Sequence, residues 1–540
     1  MKSIKYLFLI AVVSTLTTTS CTDDYFEFDK VKTTDWRPNL ALPLINSTLT
    51  AEQILVREDS GGRVEDDPNT GVLQLIYDGK VVSPFGVAQV PLPNQNFNFS
   101  LTSPTPLPST GGSQTITDSR LLTFISSVEV DSLLLKNGRL KLRLENTFEH
   151  NINVEIKLDG FTDQNNQKLV INRNIAASNG SNTVVNNVDI NLNQYTVNME
   201  YGTQNHSRIP IETKVTLNLI SGNSSSPTDN LNIVGTIENL VFKTFTGYLG
   251  NQTPLNLDID TININLFENF INGELFLSNP QLEIDIYNSY GIPTDLRFQT
   301  LKSRNIDNNP VEIPFVLPNN QNTITLNTPN YFGVGSTNIV LDTSNSNIDD
   351  VVSSLLKSII YDSDVNFNPN GPTAYRNHIT DTSKISLEVL LRLPFEGRGR
   401  TLVLVDTLDF DFEGAKELEK GILRVSSENG FPMYSQMQIY FVDEQYRKID
   451  SLFDTSNPTV DNMVIESSQV NGLGETIAPT YKTMDIPVDR DRLKSLSQST
   501  YAIIEAELLT KDFANNRNVR FLRSYTLSIN VGIKATILIN

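Results

Sequence analysis

Along most of this 540-residue chain apolar and polar residues alternate, as in Leu140 and Leu142, Leu282 and Ile284, or Leu423 and Val425. Period-2 runs broken by Asn, Gly, Ser and Pro predict half-buried strands joined by turns, so the expected fold class is all-β. The runs repeat. GRLKLRLENTFEHNINVEI from Gly138, PQLEIDIYNSYGIPTDLRF from Pro280 and GILRVSSENGFPMYSQMQI from Gly421 align on Asn146, Asn288 and Asn429. An aromatic follows each Asn by two residues (Phe148, Tyr290, Phe431), and a second alternating run begins with Val154, Leu296 and Met437. Two alternating strands around an Asn-led turn predict a hairpin whose aromatic roofs the core. These positions carry the strand period and are expected to be structural.

Two further landmarks recur. Asp131-Ser132-Leu133, Asp260-Thr261-Ile262 and Asp406-Thr407-Leu408 come before the repeat. Ile190-Asn191-Leu192-Asn193, Ile339-Val340-Leu341-Asp342 and Ile486-Pro487-Val488-Asp489 come after it. A strand closes each copy, at Ile209 to Leu219, Ile385 to Leu393 and Tyr501 to Leu509. The spacing predicts tandem immunoglobulin-like β-sandwich modules at 119–245, 246–395 and 396–540. One amphipathic helix is expected in the second, because Ile348, Val351, Val352, Leu355, Leu356 and Ile359 keep helical spacing. Residues 21–118 differ and are expected to form a tether and an N-terminal module, with a hairpin around Asp78-Gly79 and a Pro, Ser and Thr linker from Thr102 to Thr115.

The N-terminus has another pattern. Lys2 and Lys5 precede an apolar stretch from Tyr6 to Val13, then small and hydroxylated residues, then Cys21. That layout is a secretion signal over residues 1–20, and the apolar stretch is too short to span a bilayer. The chain has one cysteine, and it stands where a lipoprotein signal needs its acceptor thiol. Cys21 is therefore the expected lipid attachment site and the link to a membrane; the alternative is an ordinary secretory peptide with a stray cysteine. A lipidated Cys21 leaves the mature chain without thiol or disulfide chemistry. Asp23, Asp24 and Glu27 follow directly and are similar to the acidic export signal of Bacteroidota surface lipoproteins.

The opening WRPNLALPLINSTL and the segments FTGYLG and LSNPQLEIDIYNSYGIP resemble a family of uncharacterised Bacteroidota outer-membrane lipoproteins. The resemblance implies a location, an outer membrane with the body facing the exterior, and a β-sandwich fold. It implies no activity. Four Asp-Ser/Thr-aliphatic triplets, at Ser132, Thr261, Thr407 and Ser451, are similar to the O-glycosylation acceptor of such envelope proteins. The alternative is turn chemistry, since Asp and Ser/Thr accept hydrogen bonds from nearby backbone amides.

Charge narrows the partners. A net charge of −20 leaves no basic footprint for nucleic acid. Chemistry is sparse. His150, His206 and His378 are far apart in sequence and hold no metal-ligand spacing, and no nucleophile elbow or phosphate loop occurs. No catalytic residue, metal or cofactor is expected. The segment Asp362 to Gly371 alternates oxygen ligands but lacks the Gly and Glu of a calcium loop, so it is expected to be a strand entering a turn. The expected role is a non-enzymatic accessory or scaffold subunit bound to an outer-membrane protein complex. The alternatives are a surface glycan-binding lipoprotein of a polysaccharide uptake system, or an adhesin. Only one tryptophan, Trp36, is present to serve as a sugar platform.

Overall fold

The computed structural model describes residues 39–52, 62–83, 90, 92–103, 106–180, 182–224, 226–250, 254–264, 273–305, 311–372, 375–410, 418–453 and 461–537. Among them β-strands dominate, in repeated antiparallel sandwiches. Three strands come first: β1 (Asn39–Thr50), β2 (Leu73–Val82) and β3 (Gln95–Thr102). Each belongs to a different sandwich.

The first sandwich adds β4 (Gly112–Thr123), β5 (Glu129–Asn146), β6 (Asn151–Thr162), β7 (Lys168–Ile175), β8 (Val184–Asn191), β9 (Arg208–Leu219) and β10 (Asn230–Tyr248) to β3. One face runs β3-β10-β5-β8 and the other β4-β9-β6-β7. A short strand, Thr196–Asn198, pairs with both β5 and β6 and stitches the faces together.

The second sandwich adds β11 (Leu255–Asn263), β12 (Gln281–Asn288), β13 (Thr294–Asn305), β14 (Glu312–Pro314), β15 (Gly335–Leu341), α1 (Ile348–Ser353), β16 (Leu356–Phe367), β17 (Asn377–Thr380) and β18 (Ile385–Pro394) to β2. Its faces are β2-β18-β12-β15 and β11-β16-β13-β14.

The third sandwich joins β1 to β19 (Leu402–Asp409), β20 (Leu418–Asn429), β21 (Met433–Val442), β22 (Lys448–Ser451), β23 (Thr480–Asp489), β24 (Tyr501–Thr510) and β25 (Thr526–Ile537). Its faces are β1-β25-β20-β23 and β19-β24-β21-β22.

With the eight principal strands of a sandwich numbered in chain order, each has one sheet in the order 1-8-3-6 and the other in the order 2-7-4-5. That is the jelly roll. The repeated-sandwich, all-β expectation stands, and the strand order within each sandwich is the jelly-roll rather than the immunoglobulin one. The sandwiches are also nested. The first lies between strands 1 and 2 of the second, and the second between strands 1 and 2 of the third. The first and second form one compact unit and the third another. Among the described residues of 39–102 the long strands form no sheet of their own, in place of the expected N-terminal module; they supply the first strand of every sandwich. Gly112 to Thr115 lies in β4, so the expected linker is the loop between the first two strands of the first sandwich.

The repeated motif is an arch, not a hairpin. β5 and β6 do not pair with each other, and neither do β12 and β13 or β20 and β21; the chain crosses from one sheet to the facing one at each Asn. An arch and a hairpin share the same alternation, so the pattern could not separate them. The corner explains the Asn. Asn146, Asn288 and Asn429 are at most 1% exposed. Each Oδ1 accepts from the amide two residues on: Phe148 N at 3.0 Å, Tyr290 N at 2.9 Å and Phe431 N at 2.8 Å. Asn429 Nδ2 donates to the carbonyls of Phe431 (2.9 Å), Met433 (3.0 Å) and Glu466 (2.9 Å), and Asn146 Nδ2 to those of His150 (3.3 Å) and Ala176 (2.9 Å). A buried corner needs its backbone groups satisfied, and only a short amide supplies donor and acceptor together. Phe148, Tyr290 and Phe431 are buried over the core as expected.

Two other expectations change. α1 ends at Ser353, and Leu355 takes φ +57, a left-handed turn that starts β16. Leu356 and Ile359 are therefore strand residues, and the helical spacing there is a coincidence of a strand whose buried face continues through Tyr361, Val365 and Phe367. Asp78-Gly79 lies inside β2, paired with Leu390 and Val389, so it makes no turn. Gly79 is small because a Cβ there would stand 2.6 Å from Ile262 Cγ1 of the facing sheet. The segment after Asp362 is strand to Phe367, then a turn closed by Gly371 N on Asn368 O at 2.9 Å.

Candidate functional site

Cys21, Asp23, Asp24 and Glu27 lie outside the described residues, as does Trp36. The four triplets fall in unlike places. Thr261 and Thr407 are exposed on β11 and β19, each at a sheet edge. Ser132 is half-buried in β5, with strands paired on both sides at Asn198 and Thr246. Ser451 is half-buried, and its hydroxyl donates to Phe453 O at 3.2 Å. The first three triplets were aligned as equivalent. Those of Thr261 and Thr407 occupy second strands of their sandwiches, whereas Asp131 to Leu133 lies at the start of β5, the third strand of the first.

The histidines do not converge. His150 is fully buried in the first sandwich; its Nδ1 accepts from Ile220 N at 3.2 Å and its Nε2 has no protein partner. Burial pushes its imidazole below the ordinary histidine range, against the nearby Glu149 and Asp229. Among the described residues no group of His, Cys, Asp and Glu could hold a metal ion. The grooves are open surface features. One of about 580 Å³ lies on the outer face of the β1-β25-β20-β23 sheet, lined by Ile422, Arg424, Ser426, Asn530 and Lys534.

The chemically richest place is the seam between the first and second sandwiches. The connection from β16 to β18 carries Tyr375, Arg376 and His378, and β17 within it pairs with the end of β10 from Thr244 to Gly247. One sheet thereby continues from one sandwich into the next. Arg376 binds Asp131 through Nε (2.7 Å) and Nη2 (2.5 Å) and Glu129 through Nη1 (2.7 Å). The Asp131 side chain is 4% exposed, so this cation neutralises a buried carboxylate. Lys136 pairs with Asp381 across the same seam at 2.5 Å. Below them Asn368 and Asn377 exchange amide hydrogen bonds at 3.0 and 3.1 Å, and Leu249 N donates to Asn377 Oδ1 at 3.0 Å.

Against this framework stands an aromatic cluster. The loop between Leu326 and Gly335 reads NTPNYFGV, and its Tyr331 is 66% exposed, Val334 64% and Phe332 39%. Tyr331 has φ +53, an uncommon conformation for a bulky residue. Its ring lies 4.5 Å from Phe332 and 5.2 Å from His378; His378 meets Phe332 at 5.9 Å and Tyr375 at 6.3 Å. Tyr375 Oη donates to Pro329 O at 3.3 Å and Thr328 Oγ1 to Ile292 O at 3.3 Å, which fixes the loop base. His378 Nδ1 contacts Thr246 Oγ1 at 3.3 Å, and burial holds its imidazole low against the pull of Asp131. Sequence reasoning considered only Trp36 as a sugar platform and passed over this cluster. The signal was present: Pro329, Asn330, Gly333 and Gly335 mark a loop, where side chains have no sheet to face.

No family model matches the chain. No curated protein matches it either. Among solved structures, a protein described as secreted from Parabacteroides distasonis aligns at 12% identity over 55% of this chain and 89% of its own, with a TM-score of 0.28. An archaeal virus protein described by a triple jelly roll fold aligns at 9% identity over 85% and 91%, with a TM-score of 0.12. The tandem CBM22 domain of a Paenibacillus barcinonensis protein aligns at 8% identity over 56% and 99%, with a TM-score of 0.14.

Proposed function

We propose that the protein is an exported lipoprotein, held on the outer membrane through Cys21 and facing the exterior, that serves as a non-enzymatic accessory subunit of an outer-membrane protein complex. The observation that carries the reading is the sole cysteine placed directly behind the apolar signal stretch. Asp23, Asp24 and Glu27 supply the export signal in this reading, and the jelly rolls supply surfaces for docking. The described carboxylates at the seam are committed to ion pairs, which suits a framework better than acid–base chemistry. O-linked sugar at the edge-strand residues Thr261 and Thr407 belongs to the same proposal, since it would shield open sheet edges. Cys21→Ser is expected to release the protein from membranes, and wild type extracted in mild detergent is expected to bring down a stoichiometric barrel partner. A Cys21→Ser protein that stays with alkaline-washed membranes contradicts the anchor. A wild type recovered alone contradicts the complex.

A second reading, a surface glycan-binding lipoprotein, is favoured by one observation: the exposed Tyr331 and Phe332 rings.

A further inference from the structure

We infer that the Tyr331, Phe332, Tyr375 and His378 cluster is a stacking platform for a neutral saccharide, presented at the seam of the first two sandwiches; the inference rests on the glycan-binding reading and not on the lipid anchor.

Exposed apolar side chains on a loop need a reason. Tyr331, Phe332 and Val334 are consecutive but for Gly333, and the loop base is tied by Tyr375 and Thr328. Tyr331 is held in left-handed backbone with its ring out, although a strained bulky residue is uncommon and concentrates at functional places. A pyranose offers an apolar face of C–H groups that packs on such rings, and hydroxyls around its edge that need polar partners. Tyrosine provides both, a flat apolar body and a polar tip.

Three alternatives fit less well. A protein partner of ordinary size covers roughly 20–30 residues a side, and one short loop falls far below that. An anionic ligand needs a free cation. Arg376 is spent on Asp131 and Glu129, Lys136 on Asp381, and the chain as a whole carries −20. A metal-bridged ligand needs a cluster of ligating side chains, and the described residues hold no group of three or more His, Cys, Asp or Glu placed for a metal. What remains exposed beside the rings is neutral or internally compensated. Polar atoms in contact with the cluster are neutral: Thr246 Oγ1 at 3.3 Å from His378 Nδ1 and the Tyr375 hydroxyl on Pro329 O, so hydrogen bonds to sugar hydroxyls carry no net charge requirement.

The geometry also gives a rigid mount. β17 is paired to β10, Asn377 is fully buried, and the Arg376 pair crosses the seam, so the rings are presented by a preorganised surface that spares the ordering cost of binding.

The test uses the mature chain from residue 22 to 540, made without lipid, so that failure here and failure of the anchor are separate results. Maltohexaose, cellohexaose, xylohexaose and mannohexaose are titrated calorimetrically to about 10 mM, with a sulfated hexasaccharide as the anionic probe. At least one neutral hexaose is expected to bind, with an affinity unchanged by high salt and lowered at least about tenfold by Tyr331→Ala and by Phe332→Ala. Tyr446→Ala, an exposed tyrosine of the third sandwich, is expected to leave binding unchanged. Thermal unfolding of Tyr331→Ala should match wild type, because its side chain is two-thirds exposed, and this variant keeps the test independent of any stability lost in Phe332→Ala. The inference is overturned by no binding of any neutral hexaose, by binding that survives both loop substitutions, by preference for the sulfated probe, or by loss of a co-purified protein in Tyr331→Ala without any saccharide binding.

Discussion

The buried amide at each arch is the residue on which a sandwich corner depends. Asn429 satisfies one amide and three carbonyls, and all but the bond to Glu466 O are buried. Asn429→Ala is expected to destabilise the third sandwich by about 2–4 kcal/mol, since each buried group left unpaired costs roughly 1–3 kcal/mol. Denaturant unfolding followed by hydrogen exchange across 418–442 checks it, and a loss under about 0.5 kcal/mol contradicts it. The histidines give a pH dependence of definite sign. Burial holds His150 and His378 below the ordinary histidine range in the folded state, so between folded and unfolded values the unfolded chain binds more protons. The stability they allow is present above a pH of about 6.5 and is lost as pH falls through the folded values, by at most about 1.4 kcal/mol per pH unit for each site. Asp67, Asp342 and Asp443 are held below the usual carboxylate range by hydrogen bonds, so their losses come at lower pH and leave the window between about 5 and 6.5 to the histidines. Urea midpoints at both ends of that window decide the sign.

At the scale of elements, close approach between facing sheets limits side-chain size. Gly79→Ala places a Cβ 2.6 Å from Ile262 Cγ1 and is expected to cost about 1–3 kcal/mol. Ile262→Ala in the same chain should recover part of that loss, a coupling readable from a double-mutant cycle. The same position shows why some elements were legible and others not. Alternation located the long strands, including β5, β6, β12, β13 and β21, because one buried face imposes period 2. It could not tell an arch from a hairpin, since both use that period. Asp78-Gly79 looks like a turn by local preference, yet packing against Ile262 accounts for the glycine. Ile348 to Ile359 scanned as helix because buried residues of a one-turn helix and a following strand happened to share the spacing; Leu355 in left-handed backbone marks the break. At the seam, neither the Arg376 pairing with Asp131 nor the Tyr331 cluster was legible, because each joins residues brought together only by the fold of two sandwiches. Thr261 and Thr407 were legible as triplets, but their exposure came from their place at sheet edges.

For the whole molecule the decisive feature is nesting. Strand-by-strand repeats read from sequence suggested modules laid end to end, since the strongest motif covers only the third and fourth strands of each. The first strands, β1, β2 and β3, carry no trace of that motif and follow one another near the start of the chain. Each pairs with the last strand of its sandwich, and β1 does so along its length, from Asn39 with Thr536 to Thr50 with Thr526. Nesting therefore predicts unequal independence. The first sandwich is contiguous, so a fragment of residues 90–250 holds all eight of its principal strands. The third is not, and a fragment of residues 396–540 lacks β1, leaving β25 as an open edge over a half-covered core. The most direct measurement compares the unfolding of 396–540 alone with that of the same fragment joined by a flexible linker to residues 39–50. The joined form should unfold cooperatively while the fragment alone aggregates or melts at least about 10 °C lower. Equal stability of the two fragments would contradict the nested architecture.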